Sequence, residues 1–218
     1  MSKFNRAYQL KISIKNSKPP IWRRVIVPAD FTFHDLHLTI QSAFEWMNYH
    51  LYCFNSPLFG KSSGYGVDSS KTIIDLSIDE NEDLGEINSR EEKIDQYFKE
   101  VGNRMIYTYD FGDNWDHEVV LEEVVENYSF SYPQCVKAKR CAPCEDSSGI
   151  WGWQEKMKMM ENYDSEDTEM VEIFEWLRRM VPTMEILDNP TKFDPEDIDF
   201  DYINEKLENF ERAESIFD

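Results

Sequence analysis

Met105-Ile106-Tyr107-Thr108-Tyr109-Asp110-Phe111-Gly112-Asp113-Asn114-Trp115-Asp116-His117-Glu118-Val119-Val120-Leu121 is the stretch from which the fold is read. Met105, Tyr107, Tyr109 and Phe111 fall on one side of an extended chain, with Ile106, Thr108 and Asp110 on the other. Gly112-Asp113-Asn114 is turn chemistry, and Trp115, His117, Val119 and Leu121 then alternate again. Period-two patterning on both sides of a Gly/Asp/Asn turn predicts an antiparallel hairpin with one buried face.

Upstream, Tyr8, Leu10, Ile12 and Ile14 alternate with Gln9, Lys11, Ser13 and Lys15, a half-buried strand. Pro19-Pro20 breaks it, and Ile21 to Val27 reads as a second strand ended by Pro28, the pair forming an irregular hairpin. Thr32 with Asp35 three residues on has the form of a capping box. Leu36, Ile40, Ala43, Phe44 and Met47 then recur at helical spacing, which predicts a helix ending near Asn48. Leu51–Phe54 and Ile73–Leu76 read as short strands, 55–71 and 79–92 as loops, and Ile94–Glu100 as one or two helical turns. Gly60-Lys61-Ser62 echoes the end of a phosphate loop, but Asn55 stands where the first glycine belongs, so that reading is discarded.

Downstream, residues 127–149 read as irregular, and the chain turns helical from Trp151. Ser165 or Asp164 is expected to start a helix that turns Met170, Ile173, Phe174 and Leu177 to the core and carries Arg178 and Arg179 in its last turn. Asp194-Pro195 marks the start of a last helix with the stripe Phe200, Ile203, Leu207 and Phe210. Strands first and helices last predict an α+β protein: a mixed or antiparallel sheet, one helix after the first two strands, and a helical C-terminal third. The expected organisation is one domain over 1–218, with a sheet-rich part (1–126), a cysteine-containing loop (127–149) and an acidic helical part (150–218).

The chain of 218 residues carries a formal charge of −20, with 14% aromatic residues. Residues 1–50 are net +4, 51–144 net −9 and 145–218 net −15. The aromatic content argues against disorder. The acidity argues against direct DNA binding, which needs clustered Lys and Arg. It leaves two uses for the 145–218 segment: a solvated face, or a docking surface for a basic protein partner. Trp22-Arg23-Arg24 makes no phosphate clamp, because alternation sends the two arginines to opposite faces; use against the acidic helices is expected instead. No apolar run is long enough to span a membrane, and the first residues lack a secretory pattern. Four cysteines in a chain of this length do not make a disulfide framework, so reduced thiols and a cytoplasmic location are expected.

Candidate site residues are the histidines and the acids of turns and loops. His37 and His117 sit on apolar faces, which predicts at least partly buried, neutral imidazoles. Three readings stand side by side. In the first, Asp110, Asp113 and His117 satisfy turn and loop amides while Glu145 and Asp146 cap the helix near Gly149. In the second, His37, His50, Asp110 and His117, with Asp113 and Trp115 beside them, line a ligand or metal pocket. In the third, Asp110, His117 or Glu145 does acid–base work in a hydrolase acting on a phosphodiester or a small substrate. Cys135, Cys141 and Cys144, with Cys53 or His117 as a fourth ligand, offer zinc a Cys-x2-Cys knuckle at 141–144, but no second pair, so no cofactor is the first expectation.

Several motifs together resemble one family. They are Pro20-Ile21-Trp22-Arg23-Arg24, Leu36-His37, His50-Leu51, Tyr109 to His117, Cys141-Ala142-Pro143-Cys144-Glu145-Asp146, Gly149-Ile150-Trp151-Gly152-Trp153, Phe193-Asp194-Pro195 and Ile203-Asn204-Glu205-Lys206-Leu207. They are similar to the plasmid pRiA4b ORF-3-like family, some of whose members carry a resolvase-like label from insertion elements. The resemblance implies a compact α+β domain found near mobile elements and no secure activity. A resolvase-like accessory role is the DNA-processing alternative it leaves open. Two positions depart from the family pattern: Cys144 replaces a proline, and Tyr52 replaces a histidine common two residues after the position of His50. The reading adopted is a non-enzymatic binding or interaction domain that uses its acidic helical third or the aromatic hairpin as contact surface.

Overall fold

The computed structural model describes residues 5–56, 72–75, 87–180 and 188–210. Among these, the alternating segments form β1 (Asn5–Ile14), β2 (Trp22–Pro28), β3 (Tyr52–Asn55), β4 (Ile73–Ile74), β5 (Ile87–Asn88), β6 (Arg104–Tyr109), β7 (Trp115–Tyr128) and β8 (Gln134–Lys139). The helices are α1 (Phe33–Ala43), α2 (Gly149–Glu161), α3 (Thr168–Met180) and α4 (Phe200–Glu208). All eight strands belong to one sheet in the order β5-β4-β3-β6-β7-β1-β2-β8, antiparallel throughout except for the β4–β5 pair. The protein is α+β, as the order of its segments predicts. The discarded phosphate-loop echo at 60–62 lies outside the described residues.

The hairpin at 105–121 forms with Tyr109 opposite Trp115, Tyr107 opposite His117 and Met105 opposite Val119. It turns two residues earlier than the alternation predicts, β6 ending at Tyr109 and not at Phe111. Phe111 leaves the sheet and stands exposed, and residues 110–114 make the connection, with Asp110 at φ 55° and Asn114 at φ 52°. Asp and Asn tolerate the left-handed region because their short side chains bond the local backbone. Here Asp110 Oδ1 accepts from the amides of Gly112 (2.9 Å) and Asp113 (3.3 Å).

Burial alternates along β7, so the sheet has one dry and one wet face. Leu10, Ile12, Tyr107, His117, Val119 and Leu121 line the dry face. On the wet face Arg24 grips Glu122 of β7 and lies over Trp22, which corrects the expectation that this arginine meets the acidic helices. Helix α1 connects β2 to β3 and so crosses β1, β7 and β6 on the dry side. Its capping box forms as the sequence predicts, Thr32 accepting from the Asp35 amide and Asp35 from the Thr32 amide.

Helix α1 stops at Ala43 and does not run to Asn48. Arg23, wholly buried, explains the difference: its Nε donates to the Ala43 carbonyl (2.9 Å) and its Nη1 to the Arg140 carbonyl (2.7 Å), while the guanidinium lies 4.9 Å from the Phe44 ring centre. A cation at a helix C-terminus is favoured by the unpaired carbonyls there. Glu45 and Asn48 then turn left-handed, and Met47, assigned by periodicity to the core, is 53% exposed.

Three further expectations are corrected downstream. Residues 134–139 are not irregular; they form the edge strand β8. Helix α3 begins at Thr168, with Asp167 accepting the amides of Glu169 and Met170, and not at Asp164 or Ser165. Helix α4 begins at Phe200, capped by Asp199, not at Asp194-Pro195. Ile203, Leu207 and Phe210 are buried, whereas Phe200 is exposed. Asn204 of α4 accepts from the Cys135 amide (2.9 Å) and donates to the Cys135 carbonyl (3.2 Å), so this helix side chain occupies the hydrogen bonds of an edge strand. No helix among the described residues is long and apolar enough to cross a membrane. The four cysteines form no disulfide.

Candidate functional site

Three segments meet at one end of the sheet: the chain leaving α1 (44–51), the β6–β7 connection (110–114) and the loop entering α2 (141–149). Groups of the first segment and the Tyr109 side chain at the end of β6 tie the third in place. Glu145, buried, accepts from the Met47 amide (2.7 Å) and from the Tyr109 hydroxyl (2.5 Å). The same hydroxyl accepts from the amides of Tyr49 (2.9 Å) and His50 (3.3 Å). Trp46 stacks on Tyr109 and donates its indole N–H to the Pro143 carbonyl (2.7 Å). Gly149, at φ 66°, lies against the turn so closely that an added Cβ would sit 2.3 Å from the Asp113 carbonyl oxygen.

Tyr109→Phe removes the one atom that serves Glu145 and two backbone amides. Leaving buried groups unpaired costs about 1–3 kcal/mol. A fall in the urea midpoint of that size is expected, with no change for Tyr49→Phe.

The two histidines at the heart of the pocket reading are in the core. His37 Nε2 lies 2.8 Å from Asn48 Oδ1, an acceptor, so this nitrogen carries the proton. Nδ1 then accepts from the Tyr107 hydroxyl (2.8 Å), which in turn accepts from Gln41 (2.9 Å). Its ring is stacked 3.5 Å from Tyr52 at 6°. Burial holds the His37 imidazole well below its usual range, helped by nearby His34. His117, also wholly buried, donates from Nδ1 to the Trp115 carbonyl (2.8 Å) among the rings of Phe44, Trp46 and Tyr107. Burial pushes it down to about 4. Both are fully buried, consistent with the apolar faces on which they sit.

Asp110 holds the turn as the sequence suggests, but Glu145 and Asp146 do not cap α2. That helix starts after Ser148 with no side-chain cap. Glu145 points inward, its carboxyl raised by burial. Asp146 points outward, with Oδ1 3.1 Å from His50 Nε2. Asp110 Oδ2 lies 3.7 Å from the same nitrogen. One ligand atom from each of His50, Asp110 and Asp146 lies within 4.8 Å of the others, the one such group of three among the described residues. The sequence reading paired His50 with Asp110 but placed Asp146 elsewhere. Among the described residues the sulfurs of Cys135, Cys141 and Cys144 do not gather in this way. Burial raises all three thiols, Cys141 and Cys144 to about 12, which keeps them protonated.

A second polar chain went unread in the sequence. The Tyr52 hydroxyl lies 2.9 Å from His34 Nδ1 and 2.8 Å from Ser89 Oγ, and Asp75 sits between His34 (3.5 Å) and Arg90 (3.0 Å). His34 lies one helical turn before His37, a spacing visible in the sequence. Asp75 and Arg90 reach it through the β3–β4 and β4–β5 pairings and the bond from the His34 amide to the Ser89 carbonyl.

These features define an α+β protein whose one-sided sheet carries a buried histidine–tyrosine network and a small imidazole–carboxylate cluster at one end. The chain belongs to the plasmid pRiA4b ORF-3-like protein family, whose model matches residues 6–202. It is 30% identical over 148 residues to the uncharacterized protein y4hQ of Sinorhizobium fredii, covering 67% of this chain and 69% of that one. It is similar to the crystal structure of the protein of unknown function MM3350 from Methanosarcina mazei Go1, with a TM-score of 0.69 and 35% identity over 91% of this chain and 98% of that chain.

Proposed function

We propose that the protein is a non-enzymatic binding domain whose working face is the end of the sheet where 44–51, 110–114 and 145–151 meet. The observation that carries this reading is a contrast of exposure. Three of the groups able to do acid–base chemistry, His37, His117 and Glu145, are buried and hydrogen-bonded within the protein. Around them Met47, Tyr49, Leu51, Phe111 and Trp151, the last 65% exposed, stand out from the three segments. Exposed aromatic and methionine side chains gathered around polar groups are the composition of protein contact surfaces. A hollow of about 60 Å³ lined by Trp46, Cys141 and Glu145 is small beside the roughly 300–1,000 Å³ of small-molecule pockets, which favours a surface contact.

The occupant is a basic polypeptide segment with apolar anchors. Helix α2 leads from this face to Glu161, Asp164, Glu166, Asp167, Glu169, Glu172 and Glu175, all exposed, with no Lys or Arg between 159 and 177. Such a field attracts a cationic partner and repels nucleic acid. The face then binds an amphipathic lysine–leucine peptide, measured by fluorescence anisotropy, several-fold more weakly at about 0.5 M than at about 0.05 M salt. A glutamate–leucine peptide and duplex DNA bind poorly, and the F111S/W151S variant loses the lysine peptide. Equal binding of both peptides, or undiminished binding by the double variant, overturns the reading. So does a hydrolase activity that His117→Gln abolishes at unchanged melting temperature.

A further inference from the structure

We propose that His50, Asp110 and Asp146 form a binding site for a divalent first-row transition-metal ion. The site lies within the contact face proposed above but does not depend on it. The argument starts from ligand atoms. His50 Nε2 is 3.1 Å from Asp146 Oδ1 and 3.7 Å from Asp110 Oδ2. Ligands about 2.1 Å from one ion are separated by about 3.0 Å at octahedral and about 3.4 Å at tetrahedral angles, so the shorter pair already matches an octahedral edge and the longer one reaches a tetrahedral edge by closing about 0.3 Å.

Charge gives the second argument. Asp110 is 8% exposed, and the two carboxylates share a space in which, among the described residues, the one basic side chain within ion-pair distance of either is His50. A largely buried carboxylate without a full counter-ion is a costly arrangement that a cation relieves. The division of labour within Asp110 is the third argument. Oδ1 is fixed by the Gly112 and Asp113 amides, which leaves Oδ2 aimed at the imidazole. This is the arrangement by which outer hydrogen bonds orient a metal-ligating carboxylate. His50 is oriented in the same way, its amide donating to the Tyr109 hydroxyl and its ring packed edge-on to Tyr109 at 5.7 Å.

One imidazole and two carboxylates favour a transition ion such as Mn2+, Co2+ or Zn2+ over Ca2+ or Mg2+, which prefer all-oxygen shells. Three protein ligands leave coordination positions open on the side where His50 and Asp146 are exposed to solvent. The ion cancels the two aspartate charges and leaves the acidic run at 161–175 intact, so a basic partner still fits.

The test uses untagged full-length protein stripped with EDTA and titrated with Co2+, followed by its d–d absorption and by calorimetry. One equivalent is expected, with a spectrum of nitrogen and oxygen ligands. His50→Ala and Asp146→Asn each weaken binding about a hundredfold, whereas Glu196→Gln, a carboxylate outside the cluster, changes nothing. Both ligand side chains are at least partly exposed, and circular dichroism checks that the variants fold. No binding, binding that H50A and D146N retain, or an intense thiolate-to-cobalt charge-transfer band that assigns the ion to cysteines overturns the site. None of these outcomes bears on the lysine-peptide experiment, so the two proposals fail separately.

Discussion

Gly149→Ala is expected to lower stability by about 2–5 kcal/mol, read as a fall in the urea midpoint at constant slope. Two causes add. A non-glycine residue at φ 66° costs about 1–2 kcal/mol, and a Cβ placed 2.3 Å from the Asp113 carbonyl oxygen forces the turn and the helix start apart, an overpacking cost of about 1–3 kcal/mol. Gly102→Ala separates the two. Gly102 also has a positive φ, 94°, but no atom lies within 4 Å of the Cβ position, so only the backbone cost remains. Equal losses in the two variants would show that the seat of α2 on the hairpin turn contributes nothing. The same displacement pulls Asp146 away from His50 and Asp110, so G149A should also lose whatever the cluster binds.

Acid is expected to unfold the protein from a higher pH than carboxylate titration alone explains. His117 is held at about 4 in the folded chain against 6.5 when unfolded. A basic group whose folded value is depressed contributes its full stability above the unfolded value. That contribution is lost as pH falls from about 6.5 to about 4, because there the unfolded chain takes up a proton that the folded chain refuses. The difference amounts to about 3 kcal/mol. His37, lowered in the same direction by the same cause, adds to the loss. Glu145, raised by burial, works the other way over the range just above 4.5. Urea midpoints should therefore fall steadily from about pH 7 to about pH 4.5, and less steeply in His117→Gln. Stability that is flat or rising over that range would mean that these imidazoles are not buried as neutral rings.

The hairpin at 105–121 was readable because its information is local: two alternating runs and turn residues between them fix register, and with it the burial of Tyr107, Tyr109 and His117. The capping box of Thr32 and Asp35 was readable for the same reason. What misled was competition among equivalent signals. The segment 164–167 offers three acids and a serine as caps, and 194–199 offers four acids. Asp167 and Asp199 win because the residues that follow them, Phe174 and Leu177 in one case and Ile203 and Leu207 in the other, can then reach the core. The end of α1 was hidden because it is set from outside the helix, by Arg23 twenty residues earlier. Strand β8 was hidden because an edge strand buried at only one of its six residues, Cys135, shows little alternation.

The candidate site was half readable for a related reason. His50 and Asp110 could be paired on residue type, but Glu145 and Asp146 are chemically alike and adjacent. Only the folded loop, with Asp146 at φ 57°, turns one inward to Tyr109 and the other outward to His50. Nothing in residue type distinguishes them.

The covering of β8 by Asn204 has a consequence for how the chain is made. All eight strands have left the ribosome once residue 139 has emerged, yet the amide and carbonyl of Cys135 stay open to solvent until residue 204 follows. For the time it takes to synthesise those sixty-five residues, the nascent sheet presents an outer strand that a neighbouring nascent chain could pair with. The segment that closes this window is also the most acidic part of the protein, and its charge holds neighbouring chains apart while the closure completes.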